Sequence, residues 1–489
     1  MRKFKRKKTS VYLGAIIFIS SFFLPFCNQK KAFSSNDNKE ERYNVVFIIV
    51  DALRADHLSC YGYNRNTTPF IDSLAKDAVL FTNAISQGTV TWVSVPSIFT
   101  SLYPIVHKVL WLDEYLEDAF NTLPDVLKKE GYSTAAFVGP QFETFSGFLN
   151  RFDSHILIKD RKHVKSAFVS RILTKKAIDW LRQEHTQPFF LYIHYLDVHA
   201  PYVNDEPFGS LFWKEEVTPE MKSFIGSFFR SRNNDPFDSR RDSGMKIMEY
   251  LISQYDGKVS SVDNQVKKVL EELRKTGLFN NTIVIITSDH GEEFGEHRNE
   301  LIGRKVFFHG VSLYESTIRV PLIIKVPRAT FKKQVITDLV RQIDIMPTIL
   351  DILNIRNNSV MQGVSFLPVL EGKEIADLSA FSETPPNRFS ANPDYSISLR
   401  TKDWKLIEQY RSEDKISFYR LFDLRNDPKE IHDVSTSHPL LVKELKARIR
   451  GYSEYSKLRE QILGHTGKNR KVILDEAKKE RLKSLGYLQ

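Results

Sequence analysis

Two runs of consecutive apolar residues stand out along the chain. Residues 44–50 (NVVFIIV) and 282–286 (TIVII) are rich in β-branched side chains, a pattern typical of strands buried on both faces. Polar residues follow each run: Asp51 comes directly after the first, and Asp289 and His290 come shortly after the second. Because ligands of open α/β sheets bind outside the carboxyl ends of the strands, the pattern predicts a site where these strands end.

Helical and strand-like patterns alternate along most of the chain. The predicted strands also include 79–84, 133–138, 188–195 and 320–326, and the predicted helices are 68–78, 91–102, 122–130, 167–184, 245–275 and 335–353. This alternation predicts an α/β fold with a doubly wound, mostly parallel sheet. Residues 203–244 are irregular and are interpreted as an insertion over the site.

The pattern changes after about residue 375. Short alternating pieces joined by turns predict a smaller C-terminal α+β domain that carries a short antiparallel sheet. The predicted domains are therefore a catalytic domain at 44–375, a small-sheet subdomain at 376–435 and a charged helical tail at 436–489.

The first 43 residues predict export. A basic head precedes a short apolar run within residues 1–26, which reads as a signal segment. Cys27 closes this segment as in bacterial lipoproteins, and 27–43 is then a polar tether. We expect an exported protein that is anchored by a lipid at Cys27 in the periplasm or at the cell surface; ordinary cleavage and an uncleaved anchor are the alternatives.

Composition and charge narrow the partners. Hydrophobic residues make up 42% and charged residues 27% of the chain, as in soluble globular proteins. The net charge is +10, but residues 1–8 carry six of the basic side chains. No basic stripe with interleaved aromatic residues is present, so the sequence does not predict binding to nucleic acid.

The residues after the two buried runs suit a metal. Carboxylate and imidazole side chains that follow closely on strand ends are ligands for divalent ions. A capped surface turn that leads into an acidic helix is the alternative. Glu292, Glu293 and Glu296 are interpreted as solvated residues at the start of a helix rather than as ligands.

At this point the sequence resembles the sulfatase family of the alkaline phosphatase superfamily. The resemblance covers roughly residues 44–435 and rests on eight segments in the family's order. These segments are NVVFIIVDALRADHLSCYGY, TTPFIDSLA, TWVSVPSIFTSLYP, HYLDVHAPY, TSDHGEEFGEH, FFHGVSLYESTIRVPLII, QIDIMPTILDIL, and DWKLI with LFDLRNDPKE. The resemblance implies a large domain with the metal and the nucleophile, and a smaller C-terminal domain beside it.

The resemblance also implies a set of metal ligands. Asp51 matches the first metal-binding aspartate of the family, and Asp289 and His290 match the later ligand pair. Ala52 stands where the best-known sulfatases have a second aspartate, and His290 where they usually have asparagine. This arrangement is closer to the phosphonate and phosphodiester hydrolases and the phospholipid-headgroup transferases of the superfamily. It favours Mn²⁺ or Zn²⁺, with Ca²⁺ or Mg²⁺ as alternatives, because imidazole is a softer ligand than oxygen.

Two residues compete for the position of the nucleophile. Ser94 begins a Ser-x-Pro-Ser stretch like that of sulfatases, but Ile98 replaces the expected arginine. The register of the following residues instead places Thr91 at the nucleophile and metal-facing position. Against Thr91, Pro96 would then fall inside the helix, where it costs a hydrogen bond. Thr91 is preferred and Ser94 remains the alternative; either would lie at a helix start, which attracts anions.

Four further residues are candidates for contacts with the substrate. His199 and His309 match histidines that face substrate oxygens in relatives, and a structural role is the alternative for each. Arg54 and Lys305 are candidates for binding the anion. His194 is interpreted as a packing residue of its strand.

These residues predict hydrolysis of sulfate or phosphate esters, with a small-molecule, glycan or lipid ester as the substrate. Unmodified threonine has no second hydroxyl with which to expel sulfate, so phosphoester turnover is expected to exceed sulfate-ester turnover. Two alternatives stay open. One is a phospho-headgroup transferase with the same covalent intermediate, and the other is a non-catalytic surface-binding lipoprotein.

Overall fold

The structure, a computed structural model, describes residues 42–462 with several gaps. The gaps are 144–145, 159–168, 232–241, 300–303, 328–330, 332–333, 387–393 and 412–415. The predictions for the signal segment, for Cys27 and for the end of the tail lie outside the described residues.

The described part of the chain contains three sheets. The strands are β1 Asn44–Val50, β2 Val79–Ile85, β3 Ser133–Val138, β4 Ser154–Leu157, β5 Phe189–Tyr195, β6 Thr282–Thr287, β7 Glu293–Asn299, β8 Arg304–Phe308, β9 Arg319–Lys325, β10 Gln334–Arg341, β11 Ala380–Glu383, β12 Tyr395–Arg400, β13 Trp404–Tyr410 and β14 Ile416–Asp423.

Helices surround these sheets, with short 3₁₀ turns between them. The α-helices are α1 Pro69–Ala75, α2 Thr91–Thr100, α3 Pro104–His107, α4 Leu123–Lys129, α5 Ser146–Leu149, α6 Val169–Leu181, α7 Pro219–Ser231, α8 Asp242–Lys275, α9 Glu315–Ile318, α10 Ile345–Ile352, α11 Leu367–Leu370 and α12 Pro439–Ile462.

The large sheet has eight strands in the order β10-β2-β9-β6-β1-β5-β3-β4. β9 runs antiparallel to β2 and β6, and the other neighbours are parallel. Alternate residues of β1 pack on opposite sides: Phe47 faces the layer that contains α2, and Ile48 faces the layer that contains α8. The α/β fold with a mostly parallel sheet is therefore confirmed, with β1, β5 and β6 at its centre.

The C-terminal sheet is antiparallel, in the order β11-β12-β13-β14. Apolar residues of α12 such as Leu445 and Ile449 pack on this sheet, although the sequence analysis assigned them to a separate tail. The sheet also reaches the loop before α2, because Gly88 forms a bridge with Glu383 and the Ser382 hydroxyl hydrogen-bonds the Ser86 carbonyl oxygen.

Two local predictions were wrong. Residues 335–353 do not form one helix: β10 ends at Arg341, and α10 starts only at Ile345. A short apolar run without a clear period does not distinguish a strand from a helix, and the partner strand β2 decides here. The insertion at 203–244 is more regular than expected, because it contains α7.

Among the described residues, no helix combines the length and the apolarity that crossing a membrane requires.

Candidate active site

Four ligand-type side chains meet at the carboxyl ends of the central strands. Asp51 follows β1, His194 lies near the end of β5, and Asp289 and His290 follow β6; all four are fully buried. His290 Nε2 lies 3.6 Å from Asp51 Oδ1 and 3.6 Å from Asp289 Oδ2, and His194 Nε2 lies 3.7 Å from Asp51 Oδ2. The four residues therefore form one cluster, with spacings longer than direct hydrogen bonds.

One atom of each residue in this cluster has no hydrogen-bond partner among the described residues. These atoms are Asp51 Oδ1, His194 Nε2, Asp289 Oδ2 and His290 Nε2. Buried polar atoms are normally paired, and leaving one unpaired is costly. Ligand atoms of Asp51, His194 and Asp289 also all lie within 4.8 Å of one another. A divalent cation fits this donor set, because it would bind the unpaired atoms together.

Electrostatics favour a cation at the same point. Burial and the neighbouring Asp289 carboxylate raise the pKa of Asp51 well above its ordinary value. Burial lowers the pKa of His194 to about 4, which keeps this imidazole neutral, the form that binds metals. A positive ion would stabilise both carboxylates in their charged form.

The other ring nitrogens of the two histidines are fixed by neighbours. His194 Nδ1 lies 2.6 Å from the Tyr192 hydroxyl, and His290 Nδ1 donates to the Gly291 carbonyl oxygen at 3.0 Å. Such contacts would orient the two rings as ligands, with each Nε2 available to a metal ion.

His194 was predicted to be a packing residue of its strand, but it lies in the cluster as a candidate ligand. The register pairs His194 with Ile49 on β1, and Asp51 lies two residues further along, on the same side as Ile49. Side chains alternate between the two faces of a strand. This alternation along β1 and β5 was the signal in the sequence that His194 and Asp51 share a face.

Thr91 lies at the start of α2 and faces the cluster. Its hydroxyl donates to Asp51 Oδ2 at 3.2 Å. The Ser94 hydroxyl is engaged elsewhere, because it donates to the Val90 carbonyl oxygen at 3.0 Å. α2 begins at Thr91 and contains Pro96, as the Thr91 register requires.

His199 and His309 lie beside the cluster. The centre of the His309 ring lies 4.4 Å from that of His290 and 4.8 Å from that of His199. His309 Nδ1 lies 2.8 Å from Glu292 Oε1, and His199 Nδ1 donates to the Ala200 carbonyl oxygen at 2.7 Å. Both predicted histidines are therefore brought to the site.

Glu292, Glu293 and Glu296 do not lie at the start of a helix, so that interpretation was wrong. Glu292 and Glu293 are buried, and both Glu293 and the exposed Glu296 belong to β7. The Tyr202 hydroxyl donates to Glu292 Oε2 at 2.9 Å. Glu293 Oε1 accepts a hydrogen bond from the Ser316 hydroxyl, so both carboxylates have partners in other segments that local composition does not reveal.

Arg54 and Lys305 differ in their surroundings. Arg54 is buried and pairs with Asp56 at 2.8 Å and with Glu296 at 2.5 Å. It also donates to the Glu292 carbonyl oxygen at 3.0 Å, so its charge is already compensated. Lys305 is half-buried on β8, and its contact with an anion stays a prediction.

Two carboxylates and two imidazoles at strand ends, with a hydroxyl at a helix start facing them, are suited to the metal-assisted hydrolysis of an ester. Comparison with known families makes this more specific. The model of the family described as Sulfatase matches residues 43–355, and that described as N-sulphoglucosamine sulphohydrolase, C-terminal matches residues 303–454. The chain belongs to the sulfatase family.

Individual relatives agree over nearly the whole chain. The chain is similar to arylsulfatase K of Xenopus laevis, with 25% identity over 89% of this chain and 87% of the relative. It is also similar to the N-acetylglucosamine-6-O-sulfatase of Bacteroides thetaiotaomicron, with 26% identity over 85% of this chain and 87% of that protein.

Solved structures share the fold. One is the structure of a protein bound to that protein's substrate, D-glucosamine-2-N,6-O-disulfate. It has a TM-score of 0.69 and 21% identity over 85% of this chain and 98% of the other. Another is the phosphonate monoester hydrolase of Agrobacterium radiobacter, with a TM-score of 0.66 and 20% identity over 86% of this chain and 96% of the other.

Proposed function

We propose that this sulfatase-family hydrolase cleaves its ester through the unmodified hydroxyl of Thr91, and that it turns over phosphate esters faster than sulfate esters. The observation that carries the proposal is the hydrogen bond from the Thr91 hydroxyl to Asp51. This hydrogen bond joins the hydroxyl of the first residue of α2 to the cluster of candidate ligands.

The residues that would hold a divalent ion are Asp51, His194, Asp289 and His290, with the Thr91 hydroxyl beside them. Mixed oxygen and nitrogen donors favour Mn²⁺ or Zn²⁺ over Ca²⁺ or Mg²⁺. When bound, the ion supplies positive charge for the ester oxygens and lowers the pKa of a neighbouring hydroxyl.

Thr91 performs the first bond change. Its oxygen forms a bond to phosphorus or sulfur, its proton passes to an acceptor such as the Asp51 carboxylate, and the bond to the leaving oxygen breaks. Thr91 is also the first residue of α2, and the positive end of the helix dipole there attracts an anionic ester. Water then attacks the phosphorus or sulfur atom, the bond from that atom to the Thr91 oxygen breaks, and phosphate or sulfate leaves. The acceptor returns the proton to the Thr91 oxygen and restores the hydroxyl.

His309 is the candidate acid for the leaving oxygen. The carboxylate of Glu292 lies against Nδ1 of His309, which fixes the orientation of the ring and leaves Nε2 for the leaving oxygen. His199, whose ring is adjacent, is placed to hydrogen-bond an ester oxygen. Positioned acids of this kind contribute typically about 10²–10⁴-fold to the rate.

The preference for phosphate follows from the side chain at position 91. Threonine offers one hydroxyl, so its covalent ester must be cleaved at the phosphorus or sulfur atom. A phosphothreonine is the easier of the two esters to displace at that atom. A formylglycine, in contrast, expels sulfate through its second hydroxyl by breaking a C–O bond.

The relatives indicate the class of the alcohol. The names of two of them refer to sulfated glucosamine derivatives. This favours a 6-substituted amino sugar as the substrate, with the sugar leaving through its 6-oxygen. The matched pair N-acetylglucosamine 6-phosphate and N-acetylglucosamine 6-sulfate therefore separates the two chemistries on one sugar.

The test compares kcat/KM for this pair, and for 4-nitrophenyl phosphate and sulfate, after chelation and addition of Mn²⁺, Zn²⁺ or Ca²⁺. We expect higher values for both phosphates, and a loss of at least about 10³-fold in Thr91→Ala, as for removal of an activated nucleophile. Ser94→Ala is the matched control and should retain activity. Undiminished rates in Thr91→Ala, or a formylglycine at position 94, would refute the proposal.

A further inference from the structure

Phe308, the residue before His309, has an unusual backbone conformation. Its φ is +69°, a value that bulky side chains rarely adopt. Strained conformations of this kind persist only where the surroundings hold them, and they cluster at functional sites. Here the strained residue directly precedes the candidate acid of the mechanism.

Two aromatic residues of α7 hold the Phe308 side chain. The centres of the Phe228 and Phe229 rings lie 5.3 Å and 5.8 Å from that of Phe308. Phe308 is buried by this packing, with 6% of its surface exposed. The insertion thus contacts the residue that determines the backbone path into His309.

Phe229 reaches His309 by a second route. Its ring packs against that of Tyr202 at 5.9 Å in an edge-to-face arrangement. The Tyr202 hydroxyl donates to one carboxylate oxygen of Glu292, and the other oxygen lies 2.8 Å from His309 Nδ1. Phe229 therefore packs on two residues that fix His309. One is Phe308, the neighbour of His309 in the chain, and the other is Tyr202, which orients the Glu292 carboxylate.

We propose that Phe229 is a positioning residue that keeps the His309 imidazole at the reacting ester, and that α7 of the insertion thereby acts in catalysis. The inference rests on the proposed role of His309. It assigns to the 203–244 insertion a function that does not require contact with the substrate.

The kinetic test uses Phe229→Ala, with Phe229→Leu as a milder variant that keeps apolar volume. We expect kcat for 4-nitrophenyl phosphate to fall about 10-fold or more while KM changes little, because a small displacement of a catalytic group is costly. Phe229→Tyr, which keeps the ring, should restore kcat. Phe224→Ala is the control: Phe224 is also half-buried, lies on the same helix and packs on the same core.

A second readout does not depend on turnover. Diethyl pyrocarbonate labelling of each histidine, followed by peptide mass spectrometry, reports how accessible His309 is; its side chain is 8% exposed. In Phe229→Ala the labelling of His309 should speed up at least about threefold, as expected for local loosening, relative to the exposed His432. In Phe224→Ala it should not.

The possible outcomes distinguish a positioning role of Phe229 from a role in fold stability alone, and test the role of His309 separately. Equal effects of Phe229→Ala and Phe224→Ala on kcat and on His309 labelling would show that Phe229 only stabilises the fold, and would overturn the inference. If His309→Gln kept full activity, the proposed role of His309 would be wrong. If His309→Gln lost activity while Phe229→Ala did not, only the inference about Phe229 would fail.

Discussion

His297 links the C-terminal part of the chain to the paired strands β7 and β8, and a change at this residue tests that link. Its Nδ1 lies 3.0 Å from Glu293 Oε1, and its Nε2 donates to the Lys429 carbonyl oxygen at 2.8 Å. Its ring stacks on Tyr314, with the ring centres 3.8 Å apart. Burial lowers the pKa of His297, but the Glu293 carboxylate, the nearby Glu430 and the hydrogen bond to the Lys429 carbonyl oxygen together raise it to about 9.

The pKa sets the expected size and sign of the effect. The rise from 6.5 to about 9 corresponds to about 3 kcal/mol of folding free energy, which reflects the attraction between the protonated His297 ring and its acidic neighbours. The folded pKa is raised above the unfolded one. This contribution is therefore complete below about pH 6.5 and is lost as the pH rises through about 9.

The assay is urea unfolding of the wild type and of His297→Gln at pH 6 and pH 10, at one ionic strength. Glutamine can still donate to Lys429 but carries no charge. The variant should be less stable by about 3 kcal/mol at pH 6 and by less than about 1 kcal/mol at pH 10. His432→Gln is the control, since the His432 side chain is 78% exposed and its loss should change little. An equal loss of stability for His297→Gln at both pH values would refute the reasoning.

Three further predictions concern the metal and the membrane. The purified protein should contain about one divalent ion; Asp289→Asn should lose it with the circular dichroism spectrum retained, and full activity in that variant would contradict the site. His194→Phe, which keeps the ring volume, should weaken metal binding by at least about 10-fold in a competition titration with a chelator; an unchanged affinity would return His194 to a packing role. We also propose that Cys27 is lipidated: labelled palmitate should enter the wild type and not Cys27→Ser, and equal labelling of both would rule this out.

The sequence predicted the parts of the site that depend on single strands. Each of the two buried runs is followed by a carboxylate. Because the two strands are parallel, Asp51 and Asp289 lie at the same edge of the sheet. Thr91 followed from the register of its helix, and its hydrogen bond to Asp51 agrees with that choice.

The parts that were missed depend on partners distant in sequence. His194 required the register between β1 and β5. Glu292 is buried by contacts with Tyr202 and His309, which come from other segments. Arg54 meets Glu296 only after the chain has formed the β7 strand. Local composition indicates the chemistry of such residues but not which charges compensate one another.

The central claim is that Thr91 carries the group transferred from the substrate, and rapid quenching tests it most directly. The enzyme loaded with metal is mixed with 4-nitrophenyl phosphate, quenched in acid within milliseconds and digested for intact-peptide mass spectrometry. The account predicts a phosphoryl group on Thr91 in the wild type, none in Thr91→Ala, and an unmodified Ser94 in the resting enzyme. A phosphoryl group on another residue, or a formylglycine at position 94, would contradict it.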